Sequence, residues 1–180
     1  MSVTISESEM LFGEYEESRV FWVEKSEVYK SLGDGVCTIE FVLYNDKDEI
    51  LMIEAKSSAP NPNNQGDFDA YIEDIYAKFS HSIDLFFAVV LGRLEDRVSE
   101  MPEIFGMADY SRTRIKLLLV IRGHEIEWLS PIAEALSKRL IRQRKTWRLE
   151  IAVMNDELAE KYGLLCSDTE NLSAATLDLS

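Results

Sequence analysis

Glu54 and Lys56 stand two residues apart at the end of the run ILMIEAKS, residues 50–57. A strand alternates its side chains with period two, so both groups would point to one face, with Leu51, Ile53 and Ala55 on the other. A carboxylate can hold a divalent cation, and a neighbouring ammonium can orient a water or stabilise developing anionic charge. The run leading to them is apolar enough to be buried, and a buried charge is costly unless it is paired or bound to a metal. The tripeptide itself carries no weight. With 21 Glu and 9 Lys in 180 residues, about one Glu-x-Lys is expected by chance, so context must supply the meaning.

That context is a second acid. Glu40 lies in VCTIEFVLY, residues 36–44, and the turn-forming NDKD, residues 45–48, joins this run to the next. A turn centred between Lys47 and Asp48 makes paired positions sum to about 95, to within one. In an even-sum register Glu40 and Glu54 share a face, an unfavourable pair of carboxylates unless a cation lies between them. Oxygen ligands of this kind suit Mg²⁺ or Mn²⁺. In an odd-sum register the two acids fall on opposite faces and no site forms.

The elements that must position these residues follow from the chain in order. Ser6 to Phe12 reads as a short helix, and Arg19 to Lys25 as a strand. Glu27 to Leu32 is a helical turn ended by Gly33-Asp34-Gly35. Strands Val36 to Tyr44 and Ile50 to Ser57 complete an antiparallel meander. APNPNNQ, residues 59–65, breaks regular structure, and Asp67 is placed to cap a helix. From Phe68 the apolar residues keep helical spacing to about Val98. Met101 to Ser111 is irregular. Thr113 to Ile121 is a continuous apolar strand, as expected at a sheet centre covered on both faces. A helix capped by Ser130, with Pro131 first, runs to about Arg144. Trp147 to Met154 is a strand parallel to the previous one, and Asp156 to Tyr162 a short helix. The expected fold is α/β in the order α-β-β-β-α-β-α-β, a mixed sheet flanked by helices. Residues 1–165 form its single domain, and 166–180 a C-terminal tail expected to fray.

The hairpin, its first acid, the Glu-x-Lys on its second strand and the helix that follows resemble the PD-(D/E)XK nuclease superfamily. The likeness covers roughly residues 1–125 and rests on arrangement more than on sequence. It implies Glu40 as the first acid, Glu54 as the second and Lys56 as the lysine, although the first acid is Glu rather than Asp and Ile39 rather than Pro precedes it. It implies Mg²⁺ or Mn²⁺ held by Glu40, Glu54 and the carbonyl of Ala55, and hydrolysis of phosphodiester bonds. Glu24 resembles the additional acid that some members place near the metal. Lys25 and, on the long helix, Lys78 are accessory candidates. For Lys78 the favoured account is a lysine snorkelling from an apolar helix face.

Charge divides the function classes. The chain carries a net −14; the first 110 residues, where 8 basic groups oppose 23 acidic ones, carry −15 and the rest +1. Residues 112–148 reverse the balance, with 10 basic and 3 acidic groups. Lys138, Arg142 and Lys145 are the candidate contacts to nucleic acid, against the plainer reading of a solvated helix. A nuclease acting on DNA or RNA thus competes with an inactive module of the same fold that binds a protein partner, and with an acidic mimic of nucleic acid. A homodimer would supply positive surface from a second copy. No apolar run is long enough to span a membrane. MSVTISESEM lacks the features of a secretory signal, and Cys37 and Cys166 make a poor disulfide framework. The expectation is a cytoplasmic protein with Cys37 a reduced core residue. His81 and His124 have no partner at ligand spacing, no Ser-His-acid set is visible, and Gly33-x-Gly35 precedes a strand rather than a helix, unlike a dinucleotide fingerprint.

Overall fold

The computed structural model describes residues 1–94 and 100–166. Its centre is a five-stranded mixed sheet in the order β3-β4-β5-β6-β7. These strands are β3 (Val20–Phe21), β4 (Phe41–Tyr44), β5 (Glu49–Lys56), β6 (Arg114–Ile121) and β7 (Glu150–Asn155). β3, β4 and β5 are antiparallel neighbours, whereas β5, β6 and β7 run parallel. The helices are α1 (Glu27–Lys30), α2 (Gln65–Val90), α3 (Glu103–Met107), α4 (Ile126–Arg139), α5 (Ile141–Trp147) and α6 (Asp156–Tyr162). The expected α/β class, with antiparallel and parallel strands in one sheet flanked by helices, is the observed one.

Each face of the sheet buries one parity of residue. Ile50 and Met52 of β5 and Leu117, Leu119 and Ile121 of β6 pack under α2, α3 and α4. Leu51, Ile53 and Ala55, with Leu118 and Val120, pack on the other side against α6 and a separate two-stranded sheet. That sheet is the hairpin β1 (Ser2–Glu7) and β2 (Met10–Glu16). Because β5 and β6 are covered on both faces, their sequences are continuous apolar runs rather than alternating ones. Phe68, Ile72, Ile75, Phe79, Ile83 and Phe86 step along α2 by three or four residues and form its buried stripe.

Several expected elements differ. Ser6 to Phe12 is not a helix: it holds the end of β1, the turn Ser8-Glu9 and the start of β2. Ser8 and Glu9 both take positive φ there (50° and 59°), the conformation of a primed two-residue turn. Asn-Gly would have announced it; Ser-Glu does not. β3 is two residues long and β4 begins only at Phe41; the Cys37 and Ile39 N–H groups bond to α2 instead of to a strand. α2 starts at Gln65 with Asn64, not Asp67, at its N-cap, and ends at Val90; part of the expected extension to Val98 lies outside the described residues, as does the tail from Ser167. The helix expected from Pro131 starts at Ile126, with Pro131 inside it, and breaks at Leu140 into α4 and α5. Trp147 closes α5, so β7 starts at Glu150. Among the described residues no helix is long and apolar enough to cross a membrane.

Candidate functional site

The β4–β5 register decides the geometry. Phe41 faces Ile53, Val42 faces Met52 and Tyr44 faces Ile50, so paired positions have an even sum. Glu54 and Lys56 therefore share the α2 face with Ile50 and Met52. The Glu40 N–H donates to the Ile53 carbonyl at 3.2 Å, so two successive residues, Glu40 and Phe41, meet one residue of β5. Such a bulge ends regular pairing and turns a side chain out of line. The same alternation that sends the Ile53 carbonyl toward β4 sends the Ala55 carbonyl to that edge, beyond the point where β4 begins.

Side chains of α2 hold the approach to Glu40. The Ile39 N–H donates to Ser82 Oγ (2.9 Å) and the Cys37 N–H to His81 Nδ1 (3.2 Å). The Cys37 Sγ lies 3.4 Å from the same nitrogen. Cys37 is half-buried rather than a core residue, and His81 has a partner after all. That partner is remote in sequence, so no ligand spacing could have shown it. Burial, then the carboxylate of Asp74, push the Cys37 thiol upward.

Glu54 is fully buried. Its Oε1 lies 2.8 Å from the Lys78 ammonium and 3.2 Å from that of Lys56, which also reaches Asp74 Oδ2 at 3.2 Å. Lys78 is 3.9 Å from Glu40 Oε1, so one ammonium touches both carboxylates. Burial raises the Glu54 carboxyl above its usual range despite the two cations. Burial alone would lower Lys78, but the charge of Glu54 and its hydrogen bond outweigh that and raise it. Glu54 Oε2 has no hydrogen-bond partner among the described residues, and neither does the buried hydroxyl of Tyr71 nearby. Lys78 is thus not snorkelling: its head group enters the site.

Glu40 has further company. Burial, a hydrogen bond with Glu24, and the charges of Glu54 and Glu24 push its carboxyl up to about 8. The Glu24 N–H also approaches the Glu40 carbonyl, at 3.5 Å. Glu7, at the end of β1, completes a cluster in which one oxygen from each of Glu7, Glu24 and Glu40 lies within 4.8 Å of the others. Sequence reasoning missed Glu7, because it sits in the segment expected to be helical. Lys25 reaches Glu7 (3.4 Å) and lies over the ring of Trp22 (4.1 Å), on the outer side of this cluster.

The basic residues lie elsewhere. Asp74, Lys78 and His81 follow one another at four and three residues along α2 and line the site. Glu73, Tyr76 and Ser80, at three and four residues, line the helix's opposite flank. There Arg139 grips Glu73 through two hydrogen bonds of 2.7 and 2.6 Å, and Gln143 donates to Ser80 Oγ at 3.0 Å. Lys138 and Arg142 line a groove with Ile72 and Tyr76 on that side, and no ion pair among the described residues joins Lys138, Arg142 or Lys145 to the carboxylates.

The donor set is all oxygen, which suits a hard divalent cation. An orphaned carboxylate oxygen on a buried glutamate fits the same use. Comparisons with protein-family models, with curated proteins and with solved structures returned no match to this chain.

Proposed function

We propose that the chain is a divalent-metal-dependent hydrolase of phosphodiester bonds in nucleic acid, acting through Glu40, Glu54 and Lys56. The observation that carries this reading is the fully buried Glu54 carboxylate, with Lys56 at 3.2 Å and, through the Lys78 ammonium at 2.8 Å and 3.9 Å, Glu40 beside it. Glu40, Glu54 and the Ala55 carbonyl are the groups that would hold Mg²⁺ or Mn²⁺. A cation held there would supply Lewis acidity toward the phosphate and toward an attacking water. Lys56, between Glu54 and the exposed Asp74, is the group positioned to orient that water or to meet negative charge on the phosphate. Lys78 favours the ionised form of Glu54 and keeps Glu40 beside it. This arrangement resembles that of the PD-(D/E)XK nucleases, whose members share this division of labour. The likeness in arrangement supports membership, and the cytoplasm, where the thiols of Cys37 and Cys166 stay reduced, is the compartment that fits.

A second reading has an observation of its own. Two ammonium groups already neutralise Glu54, and the basic surface lies on the far flank of α2 from the carboxylates. An inactive module on the same fold, docked on a protein partner, needs no more than this. Single-stranded and duplex DNA and RNA, incubated with Mn²⁺ and with Mg²⁺, separate the two. Cleavage that disappears in a folded Lys56→Ala variant supports the hydrolase. Cleavage unchanged in that variant removes the mechanism, and no cleavage of any substrate favours the module.

A further inference from the structure

We infer that the C-terminal end of α5 is a stacking platform for single-stranded nucleic acid, with Trp147 as the plane that meets a base and Arg144, Lys145 and Arg148 as phosphate contacts. The platform is separate from the carboxylate centre. Trp147 rests on Phe87, which stands nine residues beyond Lys78 on the continuous helix α2, roughly 14 Å further along its axis at 1.5 Å per residue. It therefore goes beyond the proposed hydrolase and needs neither metal nor cleavage.

The aromatic half of the argument is geometric. The indole of Trp147 and the ring of Phe87 lie 4.0 Å apart, centre to centre, with 6° between their planes. Phe87 belongs to the main core, so it holds the indole in one orientation. Trp147 nonetheless stays 39% exposed, and among the described residues no second ring meets it. A fixed indole with solvent-exposed surface offers a plane to any base, since every base has a π-face.

Charge supplies an independent observation. Residues 141–149, IRQRKTWRL, hold four basic groups and no acid. Among the described residues Arg142, Arg144, Lys145 and Arg148 enter no ion pair, whereas Arg114, Lys116, Arg122 and Arg139, in the same half of the chain, each meet a carboxylate. Acids are not scarce, with 33 in the chain. Arg144 precedes Trp147 by three residues and so shares its flank of α5. Its buried Nε has no hydrogen-bond partner among the described residues. Lys145 and Arg148 are exposed. Single-strand sites combine these two features: cations track the phosphates while aromatic rings carry the bases. An acidic protein segment would answer the charge but has no use for the flat ring, and a duplex keeps its base faces inside the stack.

The test is binding to the full chain in EDTA, which removes metal and cleavage together. The probes are an oligothymidylate of about 12 nucleotides and a duplex of the same length. In a Trp22→Phe/Trp128→Phe chain Trp147 is the only indole, and its fluorescence reports stacking directly. The expected result is quenching on addition of the single strand, which binds more tightly than the duplex. Trp147→Ala should weaken binding about tenfold, and Trp147→Phe should keep most of the affinity. Lys145→Ala/Arg148→Ala, at two exposed positions, should make log affinity fall less steeply with log salt, by about 0.7 for each phosphate no longer neutralised. If Trp147→Ala does not fold, the quenching and the salt slope still decide. The proposal is overturned by no binding of the single strand, by binding without quenching of Trp147, or by a duplex bound as tightly. Polyglutamate bound as tightly as the strand at equal charge also overturns it, and would make the surface a dock for an acidic protein. None of these outcomes touches the Glu40, Glu54 and Lys56 centre, which is read from cleavage with metal.

Discussion

The Lys78 ammonium lies 2.8 Å from Glu54 Oε1 and 3.9 Å from Glu40 Oε1, joining a carboxylate of β5 to one on the residue just before β4. One helix residue therefore supports the centre from above the sheet. Removing one partner of a buried ion pair leaves the other charged and unpaired, at a cost of about 3–5 kcal/mol. Lys56 also faces Glu54, so Lys78→Met is expected at the lower end, about 3 kcal/mol. Glu54→Gln in the same chain should restore much of that loss. Urea unfolding of the two single variants and the double variant measures it. A Lys78→Met cost below about 1 kcal/mol would show that Lys56 alone satisfies Glu54.

Ser82 receives the Ile39 N–H at 2.9 Å in a buried setting and so fixes the residue before Glu40. Ser82→Ala leaves that N–H without its acceptor, and a buried unsatisfied donor costs about 1–3 kcal/mol. The expected outcome is a loss of stability in that range, together with faster amide hydrogen exchange at Ile39 and Glu40 than at β5. Uniform acceleration across the sheet would indicate a global effect and would remove Ser82 from the positioning of the site.

The sequence read unevenly, for physical reasons. β5 and β6 were legible because strands buried on both faces must be apolar throughout. The hairpin register could be narrowed to one residue, and that residue decided everything. Only the pairing of Tyr44 with Ile50 and of Phe41 with Ile53 resolves it. Glu7 was illegible, since Ser8-Glu9 carries none of the Gly or Asn that marks a primed turn. The anchoring of Cys37 and Ile39 by His81 and Ser82 was also hidden, as hydrogen bonds from a loop to helix side chains leave no periodicity. Lys78 stood at the edge of legibility. Its spacing put it beside the apolar stripe, and only the carboxylates it meets show why its head group turns inward.

Glu49 supplies a pH dependence away from the candidate centre. It is buried under Lys116 (2.8 Å) and Arg114 (2.7 Å), with Asn45 donating to it. Burial alone would raise its carboxyl, but the hydrogen bonds from Lys116 and Asn45 and the two positive charges outweigh burial, so it lies below the ordinary range. A carboxyl lowered on folding contributes stability above its unfolded pKa, and that contribution fades as the pH falls through the folded value. Stability should therefore drop on acidification from about pH 5 toward pH 3. In Glu49→Gln the drop should be shallower, from a lower starting point at neutral pH. Identical acid profiles for the two proteins would remove Glu49 as a source of the slope.

Lys138 and Arg142 line a groove with Ile72 and Tyr76, on the flank of α2 where Arg139 grips Glu73 and away from Asp74 and Lys78, and Lys145 follows in α5. A short single strand that reaches Lys56 has no geometric need of the basic residues, whereas a long duplex could extend to them. The triple variant Lys138→Ala/Arg142→Ala/Lys145→Ala is therefore expected to leave cleavage of a short oligonucleotide unchanged. On a long duplex, the dependence of log affinity on log salt should become shallower by about 0.9 for each phosphate that is no longer neutralised. Filter binding over a salt series measures the slope, and single-turnover cleavage of the short strand measures the rate. If the triple variant abolished short-strand cleavage as fully as Lys56→Ala, the substrate path would run over the α4–α5 flank, and the division between the two sides of α2 would be wrong.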